Sequence, residues 1–374
     1  MKLLPLVICI LASAAQAAWV VEDVPTSIQY VNGVPQLLAK EMASAYRPIY
    51  NSKGKTGEYI AIAYRSRYLY LTQRQGTSWT SMRFDDNGRW PSIALDGSGQ
   101  PHMSYYRMSN QKMYYAHPVA EGTGTCGPSL TWACEEIPTT LYGAPKGRSA
   151  ITIHGSKIHL LVETPYDHPW YTSAIVRMTK TIGAPGWDTT FDLVSAAHNV
   201  DNLTIKTHED GWPQALIDHE YLDWFGRTSS NWTAIGPLDG AGAFDISGAG
   251  HPRICYRDFA ANRLIYARVN GTDSYWTETV VDWDIGTQGV CSIAIPEQGE
   301  TPSRLNLGAR IAYFDDSGDV IKFATAPALS SQPWSVQTVT PATGTRVLHL
   351  HLDKEARPTI LYFDSGMLTL RMIK

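Results

Sequence analysis

Charge of one sign is scarce in this 374-residue chain: 31 Lys and Arg stand against 35 Asp and Glu, a net −4. That balance excludes a protein whose main partner is the nucleic-acid backbone, which requires a basic surface. Charged residues of both signs reach only 18 %, against 44 % hydrophobic ones, so a disordered chain is excluded too. Long apolar runs are missing. The run from Leu3 to Ala14 is too short to cross a bilayer. No Gly-rich phosphate loop, Gly-x-Ser-x-Gly elbow or His-Glu-x-x-His motif occurs, which removes familiar signatures of nucleotide, ester and zinc-peptide chemistry. Cysteines number only five, without His/Cys spacing for a metal, so no zinc site is expected.

What is present begins with a secretory pattern: Lys2, the apolar run, and the small-residue site Ala15-Gln16-Ala17. Cleavage after Ala17 is expected, giving a signal peptide over 1–17, a mature chain of net −5 without a membrane span, and a secreted or periplasmic location. Cys9 leaves with that segment. Cys126, Cys134, Cys255 and Cys291 remain, an even number for an oxidising compartment. Cys126 and Cys134 flank a Gly/Pro turn at a spacing suited to a disulfide, and Cys255 with Cys291 is the pair left over.

The chain is rich in aromatics, with 12 Trp, 20 Tyr and 8 Phe, and in turn formers, with 30 Gly and 22 Pro. Strand-like runs opening on Trp recur at Trp19, Trp79, Trp132, Trp187, Trp232, Trp276 and Trp334, 44 to 60 residues apart. That period suits four short antiparallel strands. A second column precedes these runs: a Gly/Asp turn, often a Pro, then an alternating strand with Tyr in fifth place. Pro101 to Tyr105, Pro252 to Tyr256 and Pro358 to Tyr362 show it, and Tyr64 and Tyr313 keep the Tyr without the Pro. Strands expected near Leu348–Asp353, Thr359–Asp364 and Met367–Ile373 lack a fourth, and Trp19–Val24 supplies it from the other end. The reading is an all-β, seven-bladed β-propeller over 18–374, a single domain whose last blade is closed by the N-terminal strand.

In blade period and strand pattern the chain resembles the secreted seven-bladed propellers with BNR-like repeats. It contains no full copy of the sialidase Asp-box, Ser-x-Asp-x-Gly-x-Thr-Trp; Asp96-Gly-Ser-Gly and Asp315 to Asp319 sit at other turns. Some propellers of this kind are polysaccharide lyases that use His, Tyr and Arg.

In such a ring the loops between the second and third strands, and those between blades, emerge on one face, the mouth. Arg65, Arg89, Arg107, Arg148, Arg257 and Arg346 fall there, from five blades, on a chain of balanced charge. They form an expected funnel for carboxylates, with His168 and Trp170 as further substrate contacts. The bland alternative ties these arginines to neighbouring carboxylates such as Asp258, Asp315 and Asp364. The Pro25 to Ser44 connection is long enough to wall the mouth. His198 or His219 is the candidate base, and Tyr166 or Tyr221 the candidate acid, for β-elimination on a uronate-containing polysaccharide. The alternatives are a non-catalytic lectin or adhesion propeller using the same arginines and, less favoured, a sialidase-like glycoside hydrolase. The expected partner is an acidic glycan, met by a monomer. No cofactor is specified; the Asp315–Asp319 cluster resembles a structural calcium loop but lacks the full ligand series.

Overall fold

The computed structural model describes residues 19–26, 30–31, 34–35, 41–52, 54–139, 147–168, 171–197, 200, 202–218, 220–224, 232–237, 242–268, 276–286, 290–296, 308–326, 333–345, 347–367 and 369–374. Seven four-stranded antiparallel sheets account for about two-thirds of them. With strands lettered A to D outward from the axis, blade 1 is Met42–Asn51, Gly54–Arg65, Leu69–Gln75 and Ser78–Asp85. Blade 2 is Gly88–Leu95, Pro101–Arg107, Lys112–Pro118 and Trp132–Glu136; blade 3 is Ser149–His154, Lys157–His168, Tyr171–Thr181 and Asp188–Ala197. Blade 4 is Leu203–Thr207, Pro213–Ile217, Glu220–Trp224 and Trp232–Pro237; blade 5 is Gly242–Ile246, Pro252–Asp258, Arg263–Arg268 and Thr277–Trp283. Blade 6 is Cys291–Ala294, Arg310–Asp315, Val320–Thr325 and Ser335–Pro341. Blade 7 combines Leu348–Leu352, Pro358–Asp364 and Thr369–Ile373 with Val21–Asp23 as its D strand. A small hairpin, Tyr30–Val31 with Val34–Pro35, lies in the connection expected to wall the mouth, most of which is outside the described residues. Among the described residues no helix is long and apolar enough to cross a membrane.

The two sequence columns explain how blades stack. The fifth-position tyrosines Tyr64, Tyr105, Tyr256, Tyr313 and Tyr362 are all buried on strand B. The D-strand tryptophans reach into the preceding blade. Trp132 meets Phe84, Trp187 meets Tyr115, Trp334 meets Tyr266 and Trp19 meets Phe323, with centroids 5.0 to 5.5 Å apart and ring planes steeply inclined. Edge-to-face packing of this kind adds to the large area each ring removes from water. Both disulfides are present: Cys126–Cys134 stays within blade 2, and Cys255–Cys291 joins strand B of blade 5 to strand A of blade 6.

Closure uses both ends of the chain. Val21, Glu22 and Asp23 pair with Ile373, Met372 and Arg371, and two hydrogen bonds exchanged between Val20 and Lys374, at 2.9 and 3.1 Å, extend the ladder. Glu22 crosses to blade 1, accepting from Arg74 at 2.8 Å and from the Trp79 indole at 2.7 Å.

Candidate functional site

Strand A of each blade starts at the mouth and strand B returns to it. The residue before A and the last residue of B therefore meet, and in blade 1 these are Glu41 and Arg65. The Arg65 N–H donates to the Glu41 carbonyl at 3.0 Å. Arg89, second in strand A of blade 2, completes the group: Arg65 Nη1 and Arg89 Nε each lie 3.5 Å from Glu41 Oε1. The Trp90 N–H donates to Oε2 at 3.4 Å. Glu41 is buried, and that burial pushes its carboxyl above the usual carboxylate range, with the two guanidiniums opposing the shift. The arginine side chains keep 17 % and 23 % of their surface, so a ligand can reach them.

Trp90 beside them has φ 45°, a left-handed conformation that is strained for a bulky residue. Its ring is tilted against Tyr106 at 5.7 Å, with the Arg89 guanidinium 5.2 Å from its centre. Gly147, at φ 114°, leaves room for this ring, because a Cβ there would lie 2.2 Å from it.

The other expected arginines are arranged differently. Arg107 donates from Nε and Nη2 to Asp85 Oδ2, at 2.9 and 2.5 Å, and lies over the Tyr114 ring at 4.3 Å. Asp85 ends strand D of blade 1, so this pair joins two blades in the manner of the bland reading. Arg148 follows Gly147, and its carbonyl accepts from the N–H of Glu163 at 2.9 Å. Strands B and C of blade 3 run to 12 and 11 residues, with Glu163 buried and accepting from Ser173 Oγ at 2.8 Å. Arg257 is only 3 % exposed; Nη2 donates to Asn262 Oδ1 at 2.6 Å, while Nε and Nη1 are buried without a hydrogen bond. Burial lowers its proton affinity, and the nearby Asp316 acts the other way. His198, His219, Trp170 and Arg346 lie outside the described residues. Tyr166 and His168 stand on strand B of blade 3 and Tyr221 on strand C of blade 4, with side chains outside the description.

No family model and no curated protein matches the chain. Among solved structures it is similar to a polysaccharide lyase, at 10 % identity and a TM-score of 0.51, over 88 % of this chain and 88 % of that one. It is also similar to a periplasmic gluconolactonase of Pseudomonas aeruginosa, at 10 % identity and a TM-score of 0.48 over 89 % and 91 % of the two chains. A third is an α-L-arabinofuranosidase of Fusarium graminearum, at 12 % identity and a TM-score of 0.46 over 94 % and 95 %. The likeness to the lyase shows the propeller fold.

Two features of the ring escaped the sequence reading. Glu41 sits in an aperiodic connection and carries no local signal. At the opposite end, where A strands turn into B strands, a cavity of about 310 Å³ is lined by blades 1, 4, 5, 6 and 7, with Tyr46, Lys206, Asp245 and His351 among its walls. The alternation Leu348-His349-Leu350-His351-Leu352 was its one legible sign. The calcium candidate Asp315 accepts from Ser317 Oγ at 2.6 Å and pairs with Lys322 at 2.7 Å. Among the described residues no group of three or more His, Cys, Asp or Glu is placed to hold a metal ion.

Proposed function

We propose that this is a secreted or periplasmic carbohydrate-active propeller that takes an acidic, uronate-containing polysaccharide at the mouth and cleaves it by β-elimination. One observation carries the reading: guanidiniums from two neighbouring blades share a single buried carboxyl whose own charge is disfavoured by burial. Two cations against one weakened anion favour a guest carboxylate, and Arg can bind it through two parallel hydrogen bonds. Trp90 and Tyr106 add ring faces beside the arginines.

The chemistry requires neutralisation of the uronate carboxylate, which acidifies the adjacent C–H. A base takes that proton, the C–O bond on the neighbouring carbon breaks with its electron pair going to oxygen, and an acid protonates the departing oxygen as the C=C bond forms. Arg65 and Arg89 fit the first role. His198 or His219 as base and Tyr166 or Tyr221 as acid remain the sequence candidates for the others.

Incubation with a panel of uronate polysaccharides should raise ultraviolet absorbance from the unsaturated product. Arg89→Ala should raise KM about tenfold or more, the loss of one charge-assisted pair of about 1.5 to 3 kcal/mol. A flat trace across the panel overturns the lyase assignment. Binding of the same glycans without product would identify a lectin.

A further inference from the structure

The cavity at the turn end has no part in the mouth chemistry. It lies where strands A of blades 4 to 7 finish, with Tyr46 of blade 1 closing the remaining side. We propose that it is a second sugar site, taking one uncharged monosaccharide ring on the face opposite the mouth. At about 310 Å³ it falls at the small end of ligand pockets, which suits a single ring.

Lys206 and Asp245 neutralise each other in its wall, and the exposed Glu209 stands at its rim. Lys206 Nζ lies 2.8 Å from Asp245 Oδ1, and Asp245 Oδ2 accepts from the Ile295 N–H at 2.7 Å. An ammonium offers three donors and a carboxylate about four acceptor positions, so both partners keep capacity for hydroxyl groups. A sugar hydroxyl donates and accepts at once and can bridge such a pair. A guest anion would face Asp245 and the exposed Glu209 at the rim; a guest cation would face Lys206. His351 adds a neutral imidazole, since burial holds its proton affinity down, and its Nε2 is 2.9 Å from Ser44 Oγ. Ile246, Ile295 and Leu352 supply the apolar surface that the C–H face of a sugar needs.

The site is rigidly built. Tyr46 stacks on His351 with centroids 5.5 Å apart, and its hydroxyl accepts from Lys55 at 2.8 Å. Among the described residues blade 1 has the longest innermost ladder, Met42–Asn51 with Gly54–Arg65, and it is braced on both sides. Tyr50 donates to Glu355 at 2.7 Å on the blade 7 side, and Arg47 donates to the Asp96 carbonyl at 3.2 Å on the blade 2 side. A wall fixed in this way presents its groups with little further ordering on binding.

The test is ligand-observed NMR on the full chain with glucose, galactose, mannose, xylose and arabinose, and glucuronate as the charged comparison. At least one neutral sugar should bind with a Kd of about millimolar. Asp245→Asn should weaken it about tenfold or more. Glu209→Trp, a substitution at an exposed rim position that leaves the folded core untouched, should block it while the ultraviolet product from the mouth is retained. Absence of binding by every neutral sugar, or binding that Glu209→Trp does not alter, overturns the proposal. A signal lost in Arg89→Ala and kept in Glu209→Trp puts the sugar at the mouth and also overturns it.

Discussion

A chain that begins at Pro25 should melt about 7 °C or more below one that retains Trp19–Val24. The segment is short, but several kinds of interaction leave with it. The ladder to Arg371–Ile373 is lost, and so are the hydrogen bonds between Val20 and Lys374 and the one from the Val24 N–H to Leu370. Val24 is buried, and Trp19 covers Phe323 of blade 6. Glu22 satisfies both Arg74 and the Trp79 N–H of blade 1. Together these are worth on the order of 5 kcal/mol or more, against a total stability of about 5 to 15 kcal/mol for a typical protein. Deletion also leaves Thr369–Ile373 as an open edge, which invites aggregation. Calorimetry of the two chains checks the difference, and a synthetic Trp19–Val24 peptide should restore part of the loss. Equal melting temperatures would show that the strand does not close the ring in solution.

Acidification from pH 7 to 4.5 should destabilise the fold sharply through its enclosed histidines. An imidazole in the unfolded chain protonates near pH 6.5. Burial lowers that to about 4 for His349 and to about 3 for His351 and His159, with Lys206 adding repulsion at the first two and Arg177 at the third. Below pH 6.5 the unfolded state therefore binds more protons than the folded one. Stability is fully present above pH 6.5 and declines as the pH falls toward 3. By pH 4.5 each histidine costs about 2 kcal/mol. Glu41 works in the opposite direction, because its raised carboxyl gains protons in the fold first, but it is one group against three. Urea midpoints at the two pH values are the measurement. His349→Gln combined with His351→Gln should reduce the acid penalty by about 4 kcal/mol. An unchanged pH slope in that variant would show that these two rings are not held neutral by the fold.

The architecture was legible because its signals are local and repeated. Trp79, Trp132, Trp187, Trp232, Trp276 and Trp334 each stand at or next to the start of a D strand, and each blade repeats the same alternation over a few residues. The seventh D strand could be assigned to Trp19–Val24 because the last unit lacked one. The disulfides followed from a small even number of cysteines. The mouth was only half legible. Arg65 and Arg89 could be assigned to one face, but their convergence on Glu41 depends on how two blades abut, which no spacing records. Arg107 carries the same local pattern as Arg65, yet it meets Asp85, a residue whose position at the end of the previous D strand is set by packing. The turn-end cavity is harder still, since its walls come from Tyr46, Lys206, Asp245 and His351, and only the closed ring brings them together.

The tryptophan contacts give the ring a direction. At the joints between blades 1 and 2, 2 and 3, 5 and 6, and 6 and 7, one blade presents an aromatic socket and the blade that follows inserts its tryptophan as a plug, as Trp132 does into Phe84 and Trp334 into Tyr266. The unit copied along the sequence is therefore not the unit that is buried, because every hydrophobic layer is shared by two copies. An isolated blade has an empty socket and an unhoused plug, while any run of consecutive blades hides all but two such surfaces.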